Sequence, residues 1–237
     1  MKPKVTCHIM GSVDGRILVD RWSQPYGEAS MQEILNVYRE TGRSLNTDAW
    51  TFGKNTITEI FPERFNSEIA TPLTDGDQLV FKAHRSSDRM FISVDPDADV
   101  LYPTNTLRGD DILAVIGEKA SREYLEYLRG KGVSYIVVDD ICDLKAAFEA
   151  INLEFGVSSV SLQGGGVFDG AMLADGLIDE LSYVVYPGID GTADSVSIFH
   201  YIGQDNGSPA AGLSLQLLSA EAKAGGTVWL RYKVHAE

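Results

Sequence analysis

Ser158-Ser159-Val160-Ser161-Leu162-Gln163-Gly164-Gly165-Gly166-Val167-Phe168-Asp169-Gly170-Ala171-Met172-Leu173-Ala174-Asp175-Gly176-Leu177-Ile178-Asp179-Glu180-Leu181 reads in order as a strand, a glycine turn, a helix and a second strand. Val160 and Leu162 alternate with serines at the strand period. Val167, Phe168, Ala171 and Met172 recur at helical spacing, Gly176 stands where a C-cap belongs, and the run from Leu181 to Tyr186 has β propensity throughout. Three glycines entering a helix suit an anion. Without Cβ atoms the backbone approaches a ligand closely, and the free N–H groups of the first helical turn point at it along the helix dipole. The bland alternative, a tight turn, stays open at this point.

Two familiar phosphate loops do not fit. No Lys-Ser or Lys-Thr follows the glycines, so the P-loop pattern fails; a dinucleotide fingerprint starting at Gly164 would need glycine where Asp169 stands. That fingerprint also belongs to the first strand–helix turn of a Rossmann domain, and this loop comes late.

Working outward, Lys4–Met10 forms a first strand running into Ser12-Val13-Asp14-Gly15-Arg16-Ile17, where Asp-Gly is also a simple turn signal. Met31, Ile34, Leu35 and Tyr38 mark a helix from Ser30 to Gly42. Ala49–Gly53 is a strand, and Lys54-Asn55-Thr56 opens a helix that Pro62 stops. This is a second glycine at a strand–helix junction, with a cation and a hydroxyl beside it; helix capping by Asn55 or Thr56 is compatible with an anion role. Strands at 79–83, 89–94, 112–117 and 133–138 are interleaved with helices at 121–128 and 144–155, which predicts a mainly parallel sheet with helices on both faces. A Gly, Ser, Pro and Asp-rich loop occupies 187–212, and strands 213–219 and 227–234 form a terminal antiparallel hairpin across Gly225-Gly226. One domain over 1–237 is the economical reading.

The net charge of −14, from 20 basic and 34 acidic residues, excludes a nucleic-acid or anionic-membrane surface but not a small anion in one pocket. Cys7 and Cys142 lack CxxC spacing and read as buried thiols of a reducing cytoplasm. No apolar run approaches the ~20 residues that span a bilayer, and no signal-peptide core is visible, so a cytoplasmic protein is expected.

Four pieces carry a resemblance: Ser12–Ile17 after the first strand, Gly53-Lys54-Asn55-Thr56 at the second, Gln163-Gly164-Gly165-Gly166, and Gly176-Leu177-Ile178-Asp179-Glu180-Leu181 leading to Pro187. In order and spacing the chain resembles the dihydrofolate-reductase-like superfamily, and within it the pyrimidine reductase domain of riboflavin biosynthesis. The resemblance implies an α/β fold and an NADPH-dependent oxidoreductase that reduces the ribosyl group of a 5-amino-6-ribosylaminopyrimidine phosphate to ribityl. It also implies a homodimer with a small phosphorylated substrate. Cofactor phosphates would be held at Gly53, Lys54 and Thr56 and at Gly164, Gly165, Gly166 and Val167. Ser12, Asp14 and Gly15 would lie near substrate and nicotinamide, with Asp14 as the candidate catalytic acid.

There are departures. Gln163 replaces the glutamate usual before the glycines, and Leu18 replaces a small residue. No metal is implied, and the zinc deaminase that often accompanies such reductases has no counterpart here, because His8, His84, His200 and His235 begin no H-x-E and no Pro-Cys-x-x-Cys exists. Reduction of dihydrofolate, with Glu33 or Glu40 as pterin acid, and a non-catalytic nucleotide-binding protein remain as alternatives.

Overall fold

A computed structural model describes residues 1–66, 70–203 and 208–236; the part of the long loop at 204–207 lies outside them. In chain order the elements are β1 Lys4–Ser12, α1 Met31–Ser44, β2 Ala49–Phe52, α2 Lys54–Ile60, β3 Val80–Phe81, β4 Met90–Asp95, β5 Thr106–Leu107 and β6 Asp110–Ile116. There follow α3 Arg122–Lys131, β7 Ser134–Val137, α4 Leu144–Phe155, β8 Ser159–Leu162, α5 Gly166–Ala174, β9 Glu180–Tyr186, β10 Leu213–Ala222 and β11 Val228–Ala236. The fold is α/β with a mixed, mainly parallel sheet and a C-terminal antiparallel pair, as the alternation of elements predicts. The chain divides into two compact units, one of Met1–Pro3 with Asp48–Val160 and one of Lys4–Thr47 with Ser161–Glu237.

In the first unit β2, β4, β6 and β7 run parallel in that order, while β3 adds antiparallel to β7 and β5 to β6. Strands β4 and β6 are buried along nearly their whole length, which is why they read as continuous apolar runs rather than alternating ones. Their core gathers Trp50, Phe52, Phe91, Ile112, Tyr124, Leu125 and Tyr135, each buried side chain contributing about 1.5–3 kcal/mol. Ser121 caps α3 by accepting from the Tyr124 N–H at 3.2 Å, and Gly132 ends it in the left-handed region. The strand expected over 79–83 shrinks to Val80–Phe81.

In the second unit β1 runs parallel to β9, with Thr6 opposite Glu180 and Ser12 opposite Tyr186. β11 pairs antiparallel with β9, and β10 with β11. The hairpin turn sits at Ala224–Gly226, where Gly225 and Gly226 have φ of 66° and 76°. Trp22, in the stretch read as an irregular excursion, is buried against Tyr186 with ring centroids 4.5 Å apart. His8 is buried in β1, its Nδ1 2.9 Å from Ser182 Oγ and its Nε2 2.9 Å from the Tyr38 carbonyl, with its ring stacked on Tyr38. β10 leaves Leu215, Leu217 and Leu218 about half exposed.

Cys7 is buried as expected, but Cys142 is exposed: it stands in a surface turn whose Asp140 carboxylate accepts its N–H. No helix among the described residues is long and apolar enough to cross a membrane.

Candidate active site

The triple-glycine stretch joins β8 to α5. Gly164 and Gly165 take φ of +100° and +43°, which side chains rarely tolerate, and α5 begins at Gly166. The helical ladder starts with the Asp169 N–H donating to the Gly165 carbonyl at 3.0 Å. The N–H groups of residues 166–168 therefore have no helical acceptor and carry the positive end of the helix dipole.

Gly166 has a further duty. A Cβ there would stand 2.0 Å from the Ser197 carbonyl oxygen and 3.0 Å from Val196 Cγ1, and one on Gly170 would stand 2.7 Å from the Tyr201 nitrogen. These two glycines, one helical turn apart, let the backbone of 196–201 lie directly on α5, where His200 donates its N–H to the Gly166 carbonyl at 2.8 Å.

The same segment is bound on its other side by the loop after β1. Because β1 and β9 are adjacent and parallel, the chain leaving Ser12 and the chain leaving Tyr186 emerge side by side. Val13 N–H donates to the Gly188 carbonyl, Ile17 N–H to Val196, Ile198 N–H to Gly15, and Arg16 Nη1 to Ser195, at 2.6–3.0 Å. Asp14 is the fastener: it accepts from the Ser12 hydroxyl at 2.6 Å, from the Gly191 N–H at 2.8 Å and from the Asp190 N–H at 3.1 Å. Ser12 first, then the two amides, lower its pKa to about 2. In this arrangement the Asp14 carboxylate accepts from its own loop and from the 190–191 backbone at once. Tyr183 donates its hydroxyl to the Ser12 carbonyl at 2.7 Å; burial, then the charge of Asp14, raises its pKa to about 12.

Ser12, Asp14, Gly15 and the glycines at 164–166 are thus joined through the 188–200 segment. Arg16, Tyr183, Asp190, Ser195, Ser197 and His200 belong to the same assembly and were not singled out from sequence. Only the richness of 187–212 in polar and small residues signalled it. Glu33 and Glu40 are exposed, as members of a solvated helix face are.

Gly53, Lys54 and Thr56 lie in the first unit. Gly53 is the N-cap of the seven-residue α2 with φ of −70°, a value open to any residue. Phe52 is in register with Ser93, so two residues further on Lys54 meets Asp95. Its ammonium binds the Asp95 carboxylate, the Asp99 carboxylate at 2.7 Å and, more loosely, Asp97 at 3.7 Å. Burial works against the charge, but Asp95 and Asp99 outweigh it and hold the Lys54 pKa above its ordinary value. Asp95 is fully buried and also accepts from the Asp99 and Val100 N–H groups and the Tyr124 hydroxyl. The cation beside the second glycine junction is therefore already matched by carboxylates. Among the described residues no His, Cys, Asp or Glu cluster is arranged to hold a metal.

The family model of the RibD C-terminal domain matches residues 3–229. The chain belongs to the RibD C-terminal domain family. Comparison with curated proteins finds no match. Among solved structures, a pyrimidine reductase-like protein from Corynebacterium diphtheriae is similar at 18% identity and a TM-score of 0.65, covering 99% of this chain and 93% of that one. RibD from Acinetobacter baumannii follows at 17% and 0.60, with 99% of this chain aligned to 58% of the other. Riboflavin Biosynthesis Reductase Rib7 from Saccharomyces cerevisiae matches at 17% and 0.55, over 99% and 90%. At these identities the structural likeness speaks for the fold. Membership of the RibD C-terminal domain family places the chain among oxidoreductases. Gln163, before the glycines, donates its side-chain amide to Ser161 Oγ at 3.3 Å.

Proposed function

We propose that this protein is a reductase dependent on a nicotinamide dinucleotide, NADPH by the family resemblance, that converts the ribosyl group of a 5-amino-6-ribosylaminopyrimidine phosphate to ribityl. The observation that carries the reading is the glycine loop: two glycines of positive φ and a helix start whose first three amides have no acceptor within the helix, tied through 188–200 to the Ser12–Ile17 loop. The residues fit a dinucleotide, since amides 166–168 supply donors for a phosphate and Gly164 and Gly165 keep the backbone bare. When bound, the dinucleotide supplies the hydride that reduces C1 of the ring-opened imine. The protein's own task is positioning and exclusion of water. Asp14 holds the Ser12–Ile17 loop and the 188–198 segment as one wall, and the proton for the substrate nitrogen comes from water.

The cytoplasm and a homodimer complete the proposal. β10 pairs on one side only among the described residues, and its exposed Leu215, Leu217 and Leu218 supply the apolar surface that a second copy would cover. Sedimentation of the wild type and of Leu217→Lys tests this: a monomeric wild type refutes it.

Titration with NADPH and with NADH, read by tryptophan fluorescence, tests the cofactor, with Gly165→Asp as control. Binding that the substitution abolishes, followed by NADPH consumption with the ribosylaminopyrimidine phosphate, supports the reading. Binding of neither nucleotide overturns it, and tighter NADH binding would replace NADPH as the cofactor.

A further inference from the structure

The amides at the start of α5 stand in a long stretch nearly without basic side chains. From Ala146 to Ala222 there is no Lys or Arg, and His200 is the single basic residue. The fold seats that histidine on the glycine loop. Its backbone N–H donates to the Gly166 carbonyl at 2.8 Å. Its β carbon lies 3.3 Å from where a Cβ on Gly166 would stand, and its carbonyl carbon lies 2.8 Å from the same position on Gly170.

These contacts give the side chain a direction. Gly170 is one turn further along α5 than Gly166, so the main chain of His200 leaves toward the carboxyl end of the helix and its β carbon lies toward the amino end. That is the end that carries amides 166–168. The ring is half-buried, and neither of its nitrogens meets a hydrogen-bond partner among the described residues. Arg16, the other basic side chain of the assembly, donates its Nη1 to the Ser195 carbonyl at 2.6 Å. An imidazole presents a ring N–H in either protonation state, so His200 needs no change of charge to donate to a phosphate oxygen.

We propose that His200 is a phosphate contact of the nucleotide site: its ring N–H donates to the phosphate that amides 166–168 receive, adding a side-chain donor to a cradle otherwise made of backbone. The proposal rests on the reading of this loop as a dinucleotide phosphate site. It assigns His200 no part in hydride or proton transfer.

His200→Phe keeps a planar ring and removes both nitrogens, while His200→Gln keeps a side-chain N–H; neither removes the backbone bond to Gly166. Wild type and both variants are compared by NADPH titration and urea unfolding. The histidine ring resonances of the wild type are also followed by NMR as NADPH is added, that of His200 being the one missing from the variants. The expected result is that His200→Phe, as stable to urea as wild type, binds NADPH about tenfold more weakly, the effect of losing one hydrogen bond to a charged group. His200→Gln should bind within about threefold of wild type, and the His200 ring nitrogens of the wild type should shift as NADPH saturates. Wild-type affinity in His200→Phe overturns the proposal. So does a His200 ring unmoved by NADPH, since a weakened phenylalanine variant would then report a structural loss, and so does a glutamine variant as impaired as phenylalanine. If His200→Phe does not fold, His200→Ala removes the same donor and takes its place. A wild type that binds no NADPH overturns the cofactor reading and this proposal together, whereas a wild type that binds while every variant matches it overturns this proposal alone.

Discussion

Gly166→Ala separates two duties that one glycine performs. The added methyl carbon would lie 2.0 Å from the Ser197 carbonyl oxygen, a backbone atom that cannot rotate away. Relief requires the 196–200 segment to move by about 1 Å, since carbon and oxygen do not approach within ~3 Å without strain. That segment is held by three backbone bonds, Ile17 N–H to Val196, Ile198 N–H to Gly15 and His200 N–H to Gly166. At about 0.5–1.5 kcal/mol net each, stretching them places roughly 2–4 kcal/mol at risk. Alanine returns up to about 1 kcal/mol of helix propensity, which leaves a net loss of about 1–3 kcal/mol. Urea unfolding followed by circular dichroism measures it, and amide exchange at Ile17 and Ile198 shows where it falls. A variant of wild-type stability and wild-type exchange would refute the argument; if that variant had also lost NADPH, Gly166 would serve the ligand's close approach and not the seating of 196–201.

Three further outcomes are expected. His8 is held at a pKa of about 4 by burial, against 6.5 when free; its folded value is depressed, so stability present near pH 7 is lost as pH falls from 6.5 toward 4, by about 3 kcal/mol in linkage. Urea midpoints at pH 7 and 4.5 should show that loss, and His8→Gln should remove most of the slope; an unchanged slope would count against a neutral core imidazole. Asp14→Asn turns an amide toward the Gly191 and Asp190 N–H groups, so turnover should drop about tenfold or more while NADPH affinity changes little; equal losses would move Asp14 to the cofactor. Lys54→Met strands the buried Asp95 and should destabilise by about 2–3 kcal/mol, below the ~3–5 typical of a buried pair because the ammonium is partly exposed; a tenfold loss of NADPH affinity at unchanged stability would return Lys54 to the phosphate.

What the sequence makes legible is local. The helix from Ser30, the parallel strands ending at Val94 and Ile116, and the terminal hairpin each announce themselves within a dozen residues through period, cap or turn chemistry. The glycine loop does so too, since only glycine takes the backbone angles found at Gly164 and Gly165. The two-residue strands β3 and β5 are too short to show a period, and the first was read too long for that reason. Long-range pairings leave no trace: the fastening of Asp14 to Asp190 and Gly191 spans some 176 residues. Nor does any local feature reveal that Gly166 faces the Ser197 carbonyl, or that Asp169 is buried with no hydrogen-bond partner for its carboxyl oxygens among the described residues.

The two glycine junctions look alike on paper and differ in physics. At Gly53 the backbone angles are ordinary, the helix has seven residues, and the adjacent cation is bound by carboxylates from the end of β4. At Gly164 and Gly165 the angles favour glycine, the helix is longer, and its leading amides have no acceptor within the helix. In a chain carrying a net charge of −14, the mean field opposes a polyphosphate, but screening confines that opposition to about 8 Å at physiological salt. Within that distance fixed dipoles outweigh distant charges. The proposed phosphate-binding role therefore rests chiefly on the loop before α5.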